Sequence, residues 1–308
     1  MATYLVTGGC GFIGSHLADA LLGDGHDVRI LDDLSTGKLA NKPARASLIE
    51  GDVADAAAVA AAARGVDGIF HLAAIASVER SNQDWLGAHR TNLTGTIAVL
   101  DAARRAGTSG GAVPVVYASS AAVFGANQDV PLTEDSATRP LSAYGADKLG
   151  SEQHAFVAGH VHGVPTCGLR FFNVYGPRQD PHSPYSGVIS IFCERLKEGG
   201  SVTIYGDGGQ YRDFVYVADV VRALQAAMRH AAAPGRVFNI CTGTATSVLA
   251  LAGIVGELLS VTPRIDFASP RAGEVRASLG DPARCRDQLG FAASVDLRDG
   301  LRRTLAAL

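Results

Sequence analysis

The sequence is short of lysine, of net charge and of long apolar runs, and each shortage removes a class of protein. Among its 308 residues the lysines are Lys38, Lys42, Lys148 and Lys197 alone. Charged residues make up 19% against 47% hydrophobic, and the formal charge is −3. A near-neutral chain without a basic stripe is not expected to bind nucleic acid. No run reaches the roughly 18 apolar residues of a membrane span, so no membrane partner is expected. The opening "MATYLVTGGCGF" has neither a basic region nor a cleavage signal and goes straight into a strand, which points to the cytoplasm. Cys10, Cys167, Cys193, Cys241 and Cys285 form no C-x-x-C pair. That argues against a disulfide framework and a zinc site, and no metal is expected. They read as small buried hydrophobes in a reducing compartment.

What is present is alternation. "TYLVTGG", "DVRILDDL", "SLIEGDV", "GIFHLAA" and "VPVVYASSAAVFG" read as strands. Between them lie "GSHLADALLGDG", the alanine-rich "AAAVAAAARG", and "NLTGTIAVLDAARRAG", a long helix ending at Gly107. Strands separated by such helices form βαβ units and a parallel sheet covered on both faces. Beyond "GVPTCGLRFFNVYG", another buried strand, the pattern loosens into the loop "GPRQDPHSPYSG". A helix near 187–198, the strand "SVTIYG", and "FVYVADVVRALQAAMRHA", extended and then helical from about Asp219, come next. "RVFNICTG" then reads as one more parallel strand. The expected fold is α/β: a Rossmann-type doubly wound parallel sheet with a smaller, interwoven C-terminal substrate-binding domain. Residues 1–173, with 214–243 returning, would form the first part and 174–308 the second.

"TGGCGFIGSH" places Gly8, Gly11 and Gly14 between the first strand and the first helix, with Phe12 and Ile13 opening that helix. Gly8 permits a tight turn, Gly11 lets a pyrophosphate approach the backbone, and Gly14 allows close helix–strand packing. The helix start supplies amide donors and partial positive charge. Asp32, with Asp33 beside it, ends the second strand where a carboxylate can hold ribose hydroxyls and repel a 2′-phosphate. NAD is therefore favoured, although Lys38 leaves NADP open. Asp52 and Val53 follow the third strand and suit the adenine edge. Leu72, Ala73 and Ala74 keep the next strand end thin enough for the cofactor.

In "SAYGADKLGSE", Tyr144 and Lys148 stand at i and i+4 on one helical face. By chance a Tyr-x-x-x-Lys match is expected roughly 0.1 times in such a chain. A free phenol, with a pKa near 10, is a poor base at neutral pH. A neighbouring ammonium and a positive nicotinamide ring would lower that value, and Ser120 at the end of "VVYASS" can bond the same substrate oxygen. His16 and His71 lie inside packed segments and read as structural.

These motifs resemble the extended short-chain dehydrogenase/reductase family, and within it the UDP-sugar 4-epimerases. "TGGCGFIGSH", "HLAA", "TNLTGT", "SSAAVFG", "YGADK", "RFFNVYGPRQ", "GDGGQYRDFVYV" and "RAGEVRASLGD" fall in family order from Met1 to about Leu301. The resemblance implies catalytic roles for Ser120, Tyr144, Lys148 and Asn92, and places Phe171 beside the nicotinamide. It implies that Asn173 binds the sugar phosphate, Arg212 and Arg271 the pyrophosphate, and Glu274 the uridine ribose. Gly187, Val188, Thr203 and Tyr205 would line the uracil pocket. Dimer contacts of the family involve helices near 90–106 and 145–160, so a homodimer is implied.

Dehydratases of the family carry an Asp-Glu pair after the strand-end serine or threonine, and decarboxylases a glutamate in that stretch. Here Ala121 and Ala122 follow Ser120. Oxidation and re-reduction at C4 of a UDP-hexose is the chemistry this implies, with NAD regenerated in each cycle. In the resembling enzymes the position of Ser278 gates the C2 substituent. A serine implies turnover of UDP-GlcNAc/UDP-GalNAc as well as UDP-Glc/UDP-Gal. The rivals are an epimerase restricted to plain sugars, a net nucleotide-sugar dehydrogenase or reductase, and a non-catalytic NAD sensor.

Overall fold

Short runs of valine, isoleucine and leucine leave backbone donors and acceptors unmet until they pair with neighbouring strands. In the computed structural model, which describes residues 1–107, 111–127, 129–181, 187–230, 235–270 and 275–308, they do so in three sheets. The strands are β1 (Thr3–Thr7), β2 (Asp27–Asp32), β3 (Ser47–Glu50), β4 (Gly68–His71), β5 (Val115–Ser120) and β6 (Thr166–Phe171). There follow β7 (Asn173–Tyr175), β8 (Ser201–Tyr205), β9 (Tyr211–Tyr216), β10 (Arg236–Ile240), β11 (Ala245–Ser247) and β12 (Arg264–Ala268).

Seven of them form one sheet in the order β10-β6-β5-β4-β1-β2-β3, with every pairing parallel. Leu17, Leu21, Val220 and Leu224, from helices Phe12–Gly23 and Val217–His230, fill one face. Val59, Val99, Leu100 and Ala155 fill the other, carried by Ala56–Ala62, Gly95–Ala103 and Ala143–His162. The chain thus adopts the doubly wound α/β architecture. The strand order reverses direction between β1 and β4, which opens a crevice at their carboxyl ends.

A second body surrounds Phe192, Val202, Phe214, Leu251 and Leu301. It holds the three-stranded sheet β11-β9-β7, the parallel pair β12-β8, and helices Val188–Lys197, Val248–Leu259 and Leu297–Ala306. The second of these helices starts at Ser247, whose hydroxyl accepts from Ala250 N. All five cysteines are buried and unpaired. No described helix is long and apolar enough to cross a membrane.

One helical expectation needs correction. The helical run does not begin at Asn92 and end at Gly107; it runs from Val78 to Ala103 as four pieces. These are Val78–Gln83, Trp85–His89, a π-helical turn Arg90–Thr94 and Gly95–Ala103. Ser77 and Asp84 cap the first two, each accepting from a backbone amide three residues on. The polar "ERSNQD" stretch hides this start because its apolar stripe is thin.

Candidate active site

The glycine turn after β1 has a steric logic. Gly8 has φ +69°, a left-handed conformation that its missing side chain permits. A Cβ on Gly8 would lie 2.7 Å from Ala73 N, and one on Gly14 only 2.1 Å from Gly8 O. Around Gly11 the nearest atom would be Gly8 O at 3.2 Å, so this glycine leaves its open side to the crevice. No side chain caps the helix that starts at Phe12, which leaves amide donors at its mouth.

The crevice is a cavity of about 760 Å³. Gly8, Gly11, Phe12, Ile13, Gly14, Asp32, Asp33, Lys38 and Val53 line one end, with Leu72, Ala73 and Ala74 beside them. Ser120, Tyr144, Lys148, Phe171, Asn173 and Gly187 line the remainder. A space of this size, with glycines where side chains would obstruct it and a carboxylate at one end, fits a dinucleotide.

Asp32 is buried, its Oδ2 accepting from Cys10 N at 2.8 Å and its Oδ1 from Leu34 N at 2.9 Å. Burial pushes its carboxyl up, and those two backbone bonds offset part of the rise. Lys38 pairs with Asp180 at 2.8 Å. Asp52 departs from expectation: its carboxylate is absent from the lining and instead binds Ala54 N at 2.8 Å and the Arg90 guanidinium at 3.0 Å. Its neighbours Gly51 and Val53 face the cavity.

Tyr144 and Lys148 project from the first two turns of the helix Ala143–His162, which Ser142 caps through Gly145 N. Lys148 Nζ lies 5.7 Å from the Tyr144 ring centroid and donates to Ala118 O at 2.8 Å. Burial pushes this ammonium down to about 8, with the nearby Asp147 carboxylate pulling it upward. The expected lowering of the Tyr144 phenol is reversed in the protein alone. Burial raises it, and its hydrogen bond with Ser120 only partly compensates. The ammonium stands over the ring face while donating to the Ala118 carbonyl, and no direct hydrogen bond joins it to the phenol oxygen among the described contacts. Ser120 Oγ also accepts from Ala122 N at 3.1 Å.

Asn92 does not reach the cavity lining. It is buried in the π-helical turn, where its Oδ1 accepts from Ile75 N at 2.8 Å and its Nδ2 donates to Ile75 O at 3.2 Å. It thereby pins the segment after β4, which contributes Ile75 and Ala76 to the cavity. His71 bridges Thr7 and Thr96 at 2.8 and 3.0 Å, and burial drives it down to about 3, so it stays neutral. His16 bonds Pro177 O at 2.9 Å.

On the second body, Asn173 of β7 sits opposite Phe214 of β9 and faces the cavity. Arg212, also on β9, donates to Tyr211 O and is outside the lining. Ser278 is half-buried along the same strand, its N–H donating to Tyr211 O at 3.2 Å. Val188, Thr203 and Tyr205 are half-buried on the helix Val188–Lys197 and on β8, apart from the lining. Arg271 and Glu274 fall outside the described residues. The cavity adds Arg80, Arg178, Gln179 and Asp180, of which the last three lie in the quoted "GPRQD". A loop rich in polar side chains directly after a buried strand was the available signal.

Beneath Ser120 runs a buried ionic network. Ser119 Oγ donates to Glu152 Oε1 at 2.5 Å, while Arg170 Nε and Nη2 donate to Glu152 Oε1 and Oε2 at 2.9 and 2.8 Å. Arg170 Nη1 donates to Glu134 O at 3.0 Å, and its guanidinium lies 4.9 Å from the Phe124 ring centroid. Glu152 is about two turns beyond Tyr144 and one beyond Lys148 on the same face. The network ties the helix Ala143–His162, which carries Tyr144 and Lys148, to β5 and β6, and hence to Ser120 and Phe171.

Residues 4–241 match the NAD dependent epimerase/dehydratase family. A UDP-glucose 4-epimerase of Mycolicibacterium smegmatis is 38% identical over 308 residues, spanning 98% of this chain and 96% of that enzyme. A dTDP-glucose 4,6-dehydratase of Streptomyces griseus is 37% identical over 319 residues, spanning 99% and 94%. The solved structure of the UDP-N-acetylglucosamine 4-epimerase of Methanobrevibacter ruminantium, in complex with UDP-N-acetylmuramic acid, superposes with a TM-score of 0.93 at 33% identity. That superposition covers 99% of this chain and 97% of the other.

Proposed function

The chain belongs to the NAD dependent epimerase/dehydratase family, and on that premise we propose that it is an isomerase interconverting the C4 epimers of a UDP-hexose. The observation that carries this is the cavity end where Ser120 bonds Tyr144, Lys148 lies beneath, and Ala121 and Ala122 bring no carboxylate. Elimination requires a further acid and base there, whereas reversible oxidation at C4 requires only a proton acceptor and a hydride acceptor. NAD, when bound, supplies the hydride chemistry and returns to its starting state. Tyr144 takes the 4-hydroxyl proton and returns it, Ser120 steadies the charge developing on that oxygen, and the Lys148 ammonium favours the phenolate. Asp32 and the glycine turn hold the dinucleotide, and the 4-keto sugar turns over within the cavity before re-reduction.

Asn173, Gly187, Val188, Thr203, Tyr205, Arg212, Arg271, Glu274 and Ser278 would bind the UDP-sugar, with 174–308 as the substrate part and 1–173 plus 214–243 as the dinucleotide part. A serine at 278 leaves room for an N-acetyl group, which supports turnover of both UDP-GlcNAc/UDP-GalNAc and UDP-Glc/UDP-Gal. Purified protein, given either sugar pair without added cofactor, should yield the same epimer mixture from both directions by NMR. Conversion of UDP-glucose alone would restrict the substrate, and silence on both pairs with NAD added would refute the reading.

The same molecule is proposed to be a homodimer. Trp85 and Leu86 are 66% and 84% exposed on one helical segment, and Val157 and Val161 are exposed on the catalytic helix. Ile97 on the neighbouring helix Gly95–Ala103 is exposed as well and shares a shallow pocket with Val157, and such apolar side chains would be covered by a second copy. A monomeric mass in light scattering would refute this assignment.

A further inference from the structure

The loop after β2 brings a cation to the carboxylate that selects the dinucleotide. A Cβ on Gly37 would lie 2.7 Å from Asp32 Oδ1, and Lys38 follows immediately, its N–H donating to Cys10 O at 3.0 Å. An ammonium starting from this point is placed to meet a phosphate on the 2′-oxygen that Asp32 would otherwise hold as a hydroxyl. Lysine is suited to that task, being a point charge on a flexible stem. The ammonium is instead engaged from the far half of the chain: Asp180, in the loop after β7, holds Lys38 at 2.8 Å, and both residues line the cavity. Two other cations near this end are also engaged within the protein. Arg178 pairs with Asp19 at 2.8 Å, and Lys42 Nζ donates to Pro43 O at 3.0 Å and Ala46 O at 2.7 Å.

We infer that Asp180 is a specificity-determining residue for the dinucleotide: by holding Lys38 it denies a 2′-phosphate its cation, so the exclusion of NADP rests on Asp180 as well as Asp32. Asp32 alone is a weakened barrier, since two backbone amides already share its negative charge. The two side chains of the pair are 58% and 32% exposed, so water and salt screen the interaction. The effect is therefore modest, about fivefold in the relative affinity for the two dinucleotides, or about 1 kcal/mol.

The test reads bound nucleotide, so it does not depend on which sugar the enzyme turns over. Holoenzyme is equilibrated with equal NAD and NADP until the bound ratio stops changing, then denatured, and the released nucleotides are quantified by chromatography. Asp180→Asn should raise the bound NADP:NAD ratio about fivefold. Asp180→Lys should raise it further, and Asp180→Glu should leave it at the wild-type value. Asp180→Asn combined with Lys38→Gln should return it to wild type, because the freed cation is gone. Asp180→Ser serves in place of the amide variant if that one does not fold. An unchanged ratio in Asp180→Asn would overturn the inference. A rise that survives the loss of Lys38 would overturn it as well, since loop shape and not the ion pair would then govern the choice.

Discussion

Replacing Glu152 by alanine removes three hydrogen bonds and strands the Arg170 guanidinium, whose side chain is only 5% exposed. One acceptor, Glu134 O, stays with it. Breaking a buried pair in this way costs about 3–5 kcal/mol, because an uncompensated charge is left out of reach of water. At roughly 2–4 °C per kcal/mol for a large domain, the melting midpoint should fall by about 6–20 °C. Removing both charges is a different perturbation. Glu152→Leu with Arg170→Met leaves no orphan charge and replaces it with apolar volume, so the double variant should be more stable than Glu152→Ala. Its coupling energy in a double-mutant cycle should be strongly favourable to the pair. Midpoints compared at one scan rate by circular dichroism suffice. If Glu152→Ala melts within about 1 °C of wild type, or the double variant melts below it, the pair is not a buried electrostatic tie.

Gly14→Ala should cost the protein its bound NAD, because the new methyl would occupy the space of Gly8 O and displace the turn; ultraviolet absorbance of the purified protein reads this. Tyr144→Phe should retain NAD and lose epimerisation by about 10²–10⁴-fold, in a progress curve followed by NMR. Lys148 gives a pH signature in the cofactor-free protein. Its folded value near 8 lies below the ordinary 10.5, so unfolding takes up a proton between pH 8 and 10. The buried ammonium weakens the fold below pH 8, and that penalty is relieved as pH rises. Lys148→Met should therefore lose its stability advantage over wild type by up to about 3 kcal/mol between pH 7.5 and pH 10 in urea titrations. A pH-independent difference would refute the burial argument.

The dinucleotide turn was legible because its constraints are local. Gly8, Gly11 and Gly14 fall within seven residues that run from the end of one strand into the first turn of the next helix. The Tyr144–Lys148 spacing was legible for the same reason, yet the direction of the Tyr144 shift was not, because burial depends on everything packed around the ring. Asp180 could not be assigned to Lys38 from spacing, since the two meet only when the loop after β7 folds back over the first part. Arg170 was nearer to reach. An arginine inside "TCGLRF", whose six residues are all buried, demands a carboxylate, and Glu152 stands on the same helical face as Lys148. The second body was partly hidden because "VLALAGIVGELL" is apolar on nearly every side, and Ser247 marks its start only after the helix is known.

The position of β10 has a consequence for how this molecule is made. It is the seventh strand of the dinucleotide sheet, but the chain must pass through β7, β8, β9 and the helix Val217–His230 before reaching it. Until Ile240 has left the ribosome, β6 remains an open edge with unpaired amides and carbonyls along a strand whose six residues are all buried in the finished fold. Synthesis therefore exposes a sticky border for the time needed to add some 70 residues, about 4–14 s at ordinary elongation rates. The N-terminal half cannot be cut away as a free-standing module without leaving that border permanently exposed. The seven-stranded sheet is completed only by a strand that lies beyond the start of the second body in the chain, so the two bodies must be made together.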